Sequence, residues 1–212
     1  MLIVVTGASG RTGAHVVRGL LDAGHTVRGV VRSEEKASAV RALGAQTVRG
    51  DLTAGDLGPL LTGAQALVHT AAASDPRPGR SAAVDNHATV ALVAAAARTG
   101  VNRVVQVSSM YADRPEQGPE FLREVLAEKS VSDAALAGSG LAWTLLRPGG
   151  LTDDGPTGRV AVGARLPSGR ISRADVAAVC VACLGESKTE RRAFDLTAGA
   201  ALVSEALASL ED

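Results

Sequence analysis

The chain alternates short aliphatic, β-branched runs with longer stretches of helical periodicity. Leu2–Val5 is an unbroken apolar run, as a strand covered on both faces requires. Val16, Val17, Leu20 and Leu21 form a one-sided stripe, which predicts a first helix stopping at Gly24. The pattern then predicts a strand over Thr26–Val31, a helix from Ser33 as N-cap to Leu43, and a strand over Gln46–Val48. A short helix over Asp56–Leu61 leads to a strand over Ala66–Thr70, and the polar, proline-rich stretch 74–80 reads as a loop. An Ala-rich helix over 82–98, a strand over Arg103–Val107, a loop over 112–119, a helix over 120–136 and a strand over Ala142–Leu146 follow. Beyond Pro148, glycines and prolines cut the chain into short segments, two of them small strands. A helix over 174–184, a strand over 193–197 and a helix over 202–210 close it.

Strands alternating with helices predict a parallel sheet covered on both faces. The fold class is therefore α/β: a single-domain, Rossmann-like, doubly wound parallel sheet spanning 1–212, with 149–212 forming a small irregular cap on the substrate side. Its 212 residues suffice for one large core. The 22 acidic and 22 basic residues cancel, which leaves no electrostatic footprint for nucleic acid or an anionic membrane. Aromatic residues at 2% disfavour a base-stacking platform. No apolar run reaches the ~18 residues of a membrane span, and no basic region precedes the apolar N-terminus, so the expected compartment is the cytoplasm. Cys180 and Cys183 fall inside a helical apolar pattern and are expected to be buried thiols. His15, His25, His69 and His87 show no metal-ligand spacing, and His69 is expected to be structural.

The first predicted strand runs straight into Thr6-Gly7-Ala8-Ser9-Gly10-Arg11-Thr12-Gly13 and then the first helix. Glycines at that spacing let the backbone turn, approach a pyrophosphate and pack helix on strand, while the helix start offers N–H donors to the anion. The strand-to-helix context makes this a dinucleotide site. At the end of the second strand an acid would hold the ribose 2′-hydroxyl of NAD, and here Arg32 stands there, followed by Ser33. A guanidinium suits a 2′-phosphate, and Arg11 can reach the same corner, so NADP(H) is preferred over NAD(H). Asp51 and Leu52 follow the third strand, where the carboxylate either meets the adenine or caps the next helix. Thr70, Ala71 and Ala72 are small enough to let the chain pass beside a ribose. Glu34 belongs to the second helix, Asp153 and Asp154 are expected to be solvated, and Trp143 to be core. Arg147 and Arg173 either pair with acids in the cap or, for Arg173, face substrate.

Together these pieces resemble the atypical short-chain dehydrogenase/reductase family, and most closely its small branch of flavin/biliverdin-IXβ reductase-like and NmrA-like proteins. The resemblance rests on GASGRTG at 7–13, Arg32, GDL at 50–52, HTAAA at 69–73 and VSSM at 107–110. It rests further on the stretches at 127–151 and 171–177. It implies that Gly7, Ser9, Gly10, Arg11, Thr12 and Gly13 hold the phosphates and that Arg32 holds the 2′-phosphate. It also implies that Asp51 and Leu52 flank the adenine, Ala71 and Ala72 lie by the ribose, and Pro148, Gly149, Gly150 and Leu151 lie under the nicotinamide. Val107, Ser108 and Ser109 would end a strand beside the reacting carbon, with Lys129 on the nicotinamide ribose.

One departure shapes the expected chemistry. The family's catalytic tyrosine precedes its lysine by four, and here that position is Val125. Tyr111, the sole tyrosine, sits three residues past Ser108 and is the available substitute. The expected function is thus an NADPH-dependent oxidoreductase passing hydride to a small conjugated acceptor such as a flavin or quinone, with Ser109, Tyr111 and Lys129 as catalytic residues. The alternative is a non-catalytic NADP(H)-binding redox sensor. A sugar-nucleotide epimerase or dehydratase is disfavoured by Val125. The expected partner is a small-molecule substrate, on a monomer or homodimer.

Overall fold

The computed structural model describes residues 1–73, 79 and 81–210. The central strand β1 (Leu2–Thr6) shows why an unbroken apolar run is needed: Ile3 and Val5 enter one core cluster and Val4 the other. β2 (Thr26–Val31) pairs with it in parallel, and β3 (Gln46–Arg49) lies outside β2. On the other side of β1 come β4 (Ala66–His69), β5 (Arg103–Val107) and β6 (Ala142–Pro148), all parallel.

The C-terminal strands are β7 (Gly150–Thr152), β8 (Arg159–Gly163), β9 (Arg170–Ser172), β10 (Arg192–Ala198) and β11 (Ala201–Leu202). Among the described residues the main sheet runs β11-β8-β10-β6-β5-β4-β1-β2-β3, with β8 antiparallel to both of its neighbours. β7 and β9 form a separate parallel ribbon. The sequence pattern anticipates two small strands beyond Pro148; the structure forms β7, β8 and β9 there.

Helices α1 (Arg11–Asp22) and α2 (Glu34–Arg41) cover one face, and α3 (Gly58–Leu61), α4 (Thr89–Arg98) and α5 (Arg123–Ala137) the other. α6 (Arg173–Cys183) and α7 (Val203–Ala208) join the first face. The helix expected over 82–98 divides: Ala82–Ala88 is a π-turn and α4 continues from it. Ser33 caps α2, as expected, by accepting from the Lys36 N–H.

Residues 149–212, expected to form an irregular cap, also build part of the main sheet. β10 extends the main sheet beside β6, and α6 packs against α1, where Gly19 leaves room for Val181. What stands over the sheet edge is the β7–β9 ribbon. Cys180 and Cys183 are buried in α6, and burial pushes the Cys180 thiol well up and that of Cys183 up to about 12. The loop expected over 74–80 lies, Gly79 apart, outside the described residues. Among the described residues no helix is long and apolar enough to cross a membrane.

Candidate functional site

Strand order reverses between β1 and β4, which opens a crevice at their carboxyl ends. A cavity of about 470 Å³ lies there. Its floor is the glycine loop. Gly7 has φ +73°, and a Cβ there would come within 2.7 Å of the Ala71 N. A Cβ on Gly13 would come within 2.0 Å of the Gly7 carbonyl oxygen. The loop is thus compressed between α1 and the chain leaving β4, and only glycine fits. No side chain caps the start of α1, so its first N–H groups face the cavity without intrahelical partners. Ser9, Gly10, Arg11 and Thr12 line the wall with them.

One end of the cavity is cationic. Arg32 lines it from the end of β2 and has no acidic partner among the described residues. Lys36, one turn into α2, lines it too. Glu34, which could have opposed Arg32, is instead ion-paired with Arg41. Asp51 and Leu52 line the opposite wall, where Asp51 Oδ1 accepts from the Thr53 N–H and hydroxyl. Asp51 thereby stabilises its own turn rather than the start of α3. Thr70, Ala71 and Ala72 line the middle, with the Thr70 hydroxyl donating to the Thr6 carbonyl.

The other end is built from buried charge. Lys129, on α5, lines the cavity and pairs with Asp85 at 2.9 Å. Asp85, set by the π-turn, also accepts from the Ala73 N–H at 3.2 Å and the Ser81 hydroxyl at 3.1 Å. His69, at the end of β4, is buried between the hydroxyls of Thr6 and Thr89. Burial first, and then Lys129, lowers its pKa to about 4, so it stays neutral and structural as expected. Val107, Ser108 and Ser109 line the cavity at the end of β5. The Ser108 hydroxyl donates to Asp133 at 3.0 Å, and Asp133 also receives Gln106 and Arg147. Burial raises the Asp133 pKa against the pull of Arg147, Ser108 and Lys129. Among the described residues the Ser109 hydroxyl donates to the Met110 carbonyl alone, at 3.3 Å.

Several expected site residues stand elsewhere. Tyr111, at φ +72°, does not line the cavity; its hydroxyl bonds Ser168 and the Arg114 guanidinium lies 5.0 Å over its ring. Ser33 is outside the cavity lining because its hydroxyl caps α2. Of the four residues expected under the nicotinamide, Leu151 alone lines the cavity. Pro148 is buried in β6 opposite Leu196, and Gly149 and Gly150 pack tightly along Gly169 at the root of the ribbon. Asp153 is exposed yet not merely solvated: it accepts from Arg11 at 3.1 Å and from Arg173 at 2.8 Å. Arg147 pairs with Asp113 and with Asp133 on α5, not with an acid of the cap. Trp143 packs, half-buried, against the second core cluster.

Reasoning from sequence misses Lys36 and Asp85. Lys36 had a readable signal, a cation in the first turn after the cofactor-selecting strand. Asp85 had none, because helical periodicity does not register a π-turn.

Comparison with known proteins follows this geometry. A family model described as NAD(P)H-binding matches residues 7–187. A Bacillus subtilis (strain 168) protein called uncharacterized sugar epimerase YhfK is 35% identical over 214 residues, covering 99% of this chain and 100% of that one. A Bacillus halodurans structure, provisionally assigned as an NAD-dependent epimerase/dehydratase, is 28% identical with a TM-score of 0.94 and covers 99% of this chain and all of its own. ChuY, an anaerobillin reductase from Escherichia coli O157:H7, shares the fold at 22% identity and TM-score 0.78, over 95% of this chain and 98% of its own.

Proposed function

The chain belongs to the NAD(P)H-binding family, and from that premise we propose that it is an NADPH-dependent reductase of a small conjugated acceptor such as a flavin or quinone. The residues present fit a dinucleotide: a loop compressed to glycine, free N–H groups at the start of α1, and small side chains from Thr70 to Ala72. Arg32, without an acidic partner among the described residues, and nearby Lys36 suit a 2′-phosphate, which supports NADP(H) over NAD(H).

One observation carries the choice of acceptor. Val125 stands one helical turn before Lys129, and the sole tyrosine is bonded to Ser168 outside the cavity. No phenol or phenolate is therefore available at the cavity to exchange a proton with a substrate hydroxyl, as alcohol, epimerase and dehydratase chemistry requires. The sugar epimerase in the name of the B. subtilis relative is accordingly not carried over.

Bound NADPH supplies a hydride at the acceptor. The protein's own work is positional: the glycine loop and α1 would hold the phosphates, and Lys129, itself held by Asp85, would donate to the ribose. Ser109 polarises the acceptor with its weakly engaged hydroxyl, and the reduced acceptor takes its proton from water. Following NADPH absorbance with a panel of quinones and flavins tests the reading. Acceptor-dependent loss of NADPH, slower with NADH, is expected. Tight NADPH binding that no acceptor drains would favour a redox sensor instead.

A further inference from the structure

Two arginines reach the cavity wall from distant parts of the chain and meet on one carboxylate. Arg11 opens α1 directly after the glycine loop, and Arg173 opens α6 directly after β9. Asp153 follows β7, takes Arg11 Nη1 on Oδ2 and takes Arg173 Nη1 on Oδ1. The arginines line the cavity; Asp153 does not.

The exposures decide what this triad does. Asp153 is 62% exposed and Arg11 71%, so the pairs add little to folding stability. Arg173 is 11% exposed, a charge kept close to the cavity with Asp153 as its ion-pair partner among the described residues. One carboxylate holds two guanidiniums through a single nitrogen each, leaving their remaining N–H donors and a net charge of about +1 beside the start of α1.

We propose that Asp153 is a positioning residue that holds Arg11 and Arg173 as a two-armed grip on the cofactor's diphosphate and clasps the β7–β9 ribbon to the glycine loop. The inference rests on dinucleotide binding and not on the acceptor chemistry. It also separates two duties. Arg11 is engaged by Asp153, so it serves the part common to NADPH and NADH. Discrimination between the two falls to Arg32 with Lys36.

The test is equilibrium titration of the full chain with NADPH and with NADH, read by nicotinamide fluorescence. Asp153→Asn and Arg173→Gln should each weaken both dinucleotides by the same factor, about three- to tenfold for one or two partly exposed charge pairs. The double variant should bind more weakly than Arg173→Gln alone, because Asp153 also holds Arg11, yet by less than the two single losses combined, because part of the effect of Asp153 runs through Arg173. Asp153→Glu should recover part of the loss, and the thermal midpoint of every variant should stay within about 3 °C of the parent. Unchanged or tighter binding by Asp153→Asn would overturn the proposal, since the carboxylate would then merely compete with phosphate. A loss confined to NADPH, or additive losses in the double variant, would overturn it too. A parent chain that binds neither dinucleotide would instead remove the family-level reading itself.

Discussion

The two ends of the cavity are built from different materials. The cofactor end is mostly backbone: Gly7, Gly10 and Gly13, the N–H groups of α1, and small side chains leaving β4. The end proposed to take the acceptor is side-chain charge assembled across the fold. There Lys129 meets Asp85, and the lining Ser108 donates to Asp133, which also takes Arg147. A site made of backbone tolerates nothing larger than hydrogen at its closest contacts. A site made of buried ion pairs tolerates changes made to both partners far better than to one.

That contrast is broken most forcefully at Asp85. Asp85→Ala leaves Lys129 buried without its counter-charge, and should cost about 3–5 kcal/mol in denaturant unfolding. Adding Lys129→Met should recover much of the loss while leaving ribose binding impaired. If the single variant unfolds like the parent, the pair contributes no structure. The pH dependence sharpens the same end. His69 has a folded pKa of about 4 against 6.5 unfolded, so the unfolded chain binds the extra proton between those values. Its contribution is therefore complete above pH 6.5 and lost as pH falls toward 4, up to about 3 kcal/mol. His69→Gln, which keeps a hydrogen-bonding side chain, should flatten that part of the stability curve. At the cofactor end, Gly13→Ala drives a methyl into the Gly7 carbonyl and should cost about 1–3 kcal/mol of stability. Dinucleotide binding should be lost with it, although helical content by circular dichroism persists.

The same division explains what the sequence makes legible. The cofactor end follows from local rules: an apolar run, three glycines at fixed spacing and a helix stripe place the loop without any tertiary knowledge. β2 and β5 have the bounds their apolar patterns predict. The acceptor end depends on long-range geometry. Asp85 and Lys129 are far apart in sequence, and what joins them is a π-turn that helical periodicity does not reveal. Tyr111 sits close to Ser108 in sequence, yet a left-handed backbone at the residue commits its hydroxyl to Ser168. The cap is half legible: its glycines and prolines announce irregular chain, but not that β10 completes the main sheet.

The central claim is that the cofactor end holds NADPH through Arg32 whatever the acceptor end does. Titration of the parent chain and of Arg32→Gln with both dinucleotides tests it most directly. NADPH should bind at least about tenfold more tightly than NADH, the worth of one good charge-assisted contact of roughly 1.4 kcal/mol. Arg32→Gln should remove most of that preference, with Lys36 keeping the remainder, and leave NADH affinity unchanged. Equal affinity for the two dinucleotides in the parent, or a preference undiminished in Arg32→Gln, would contradict it.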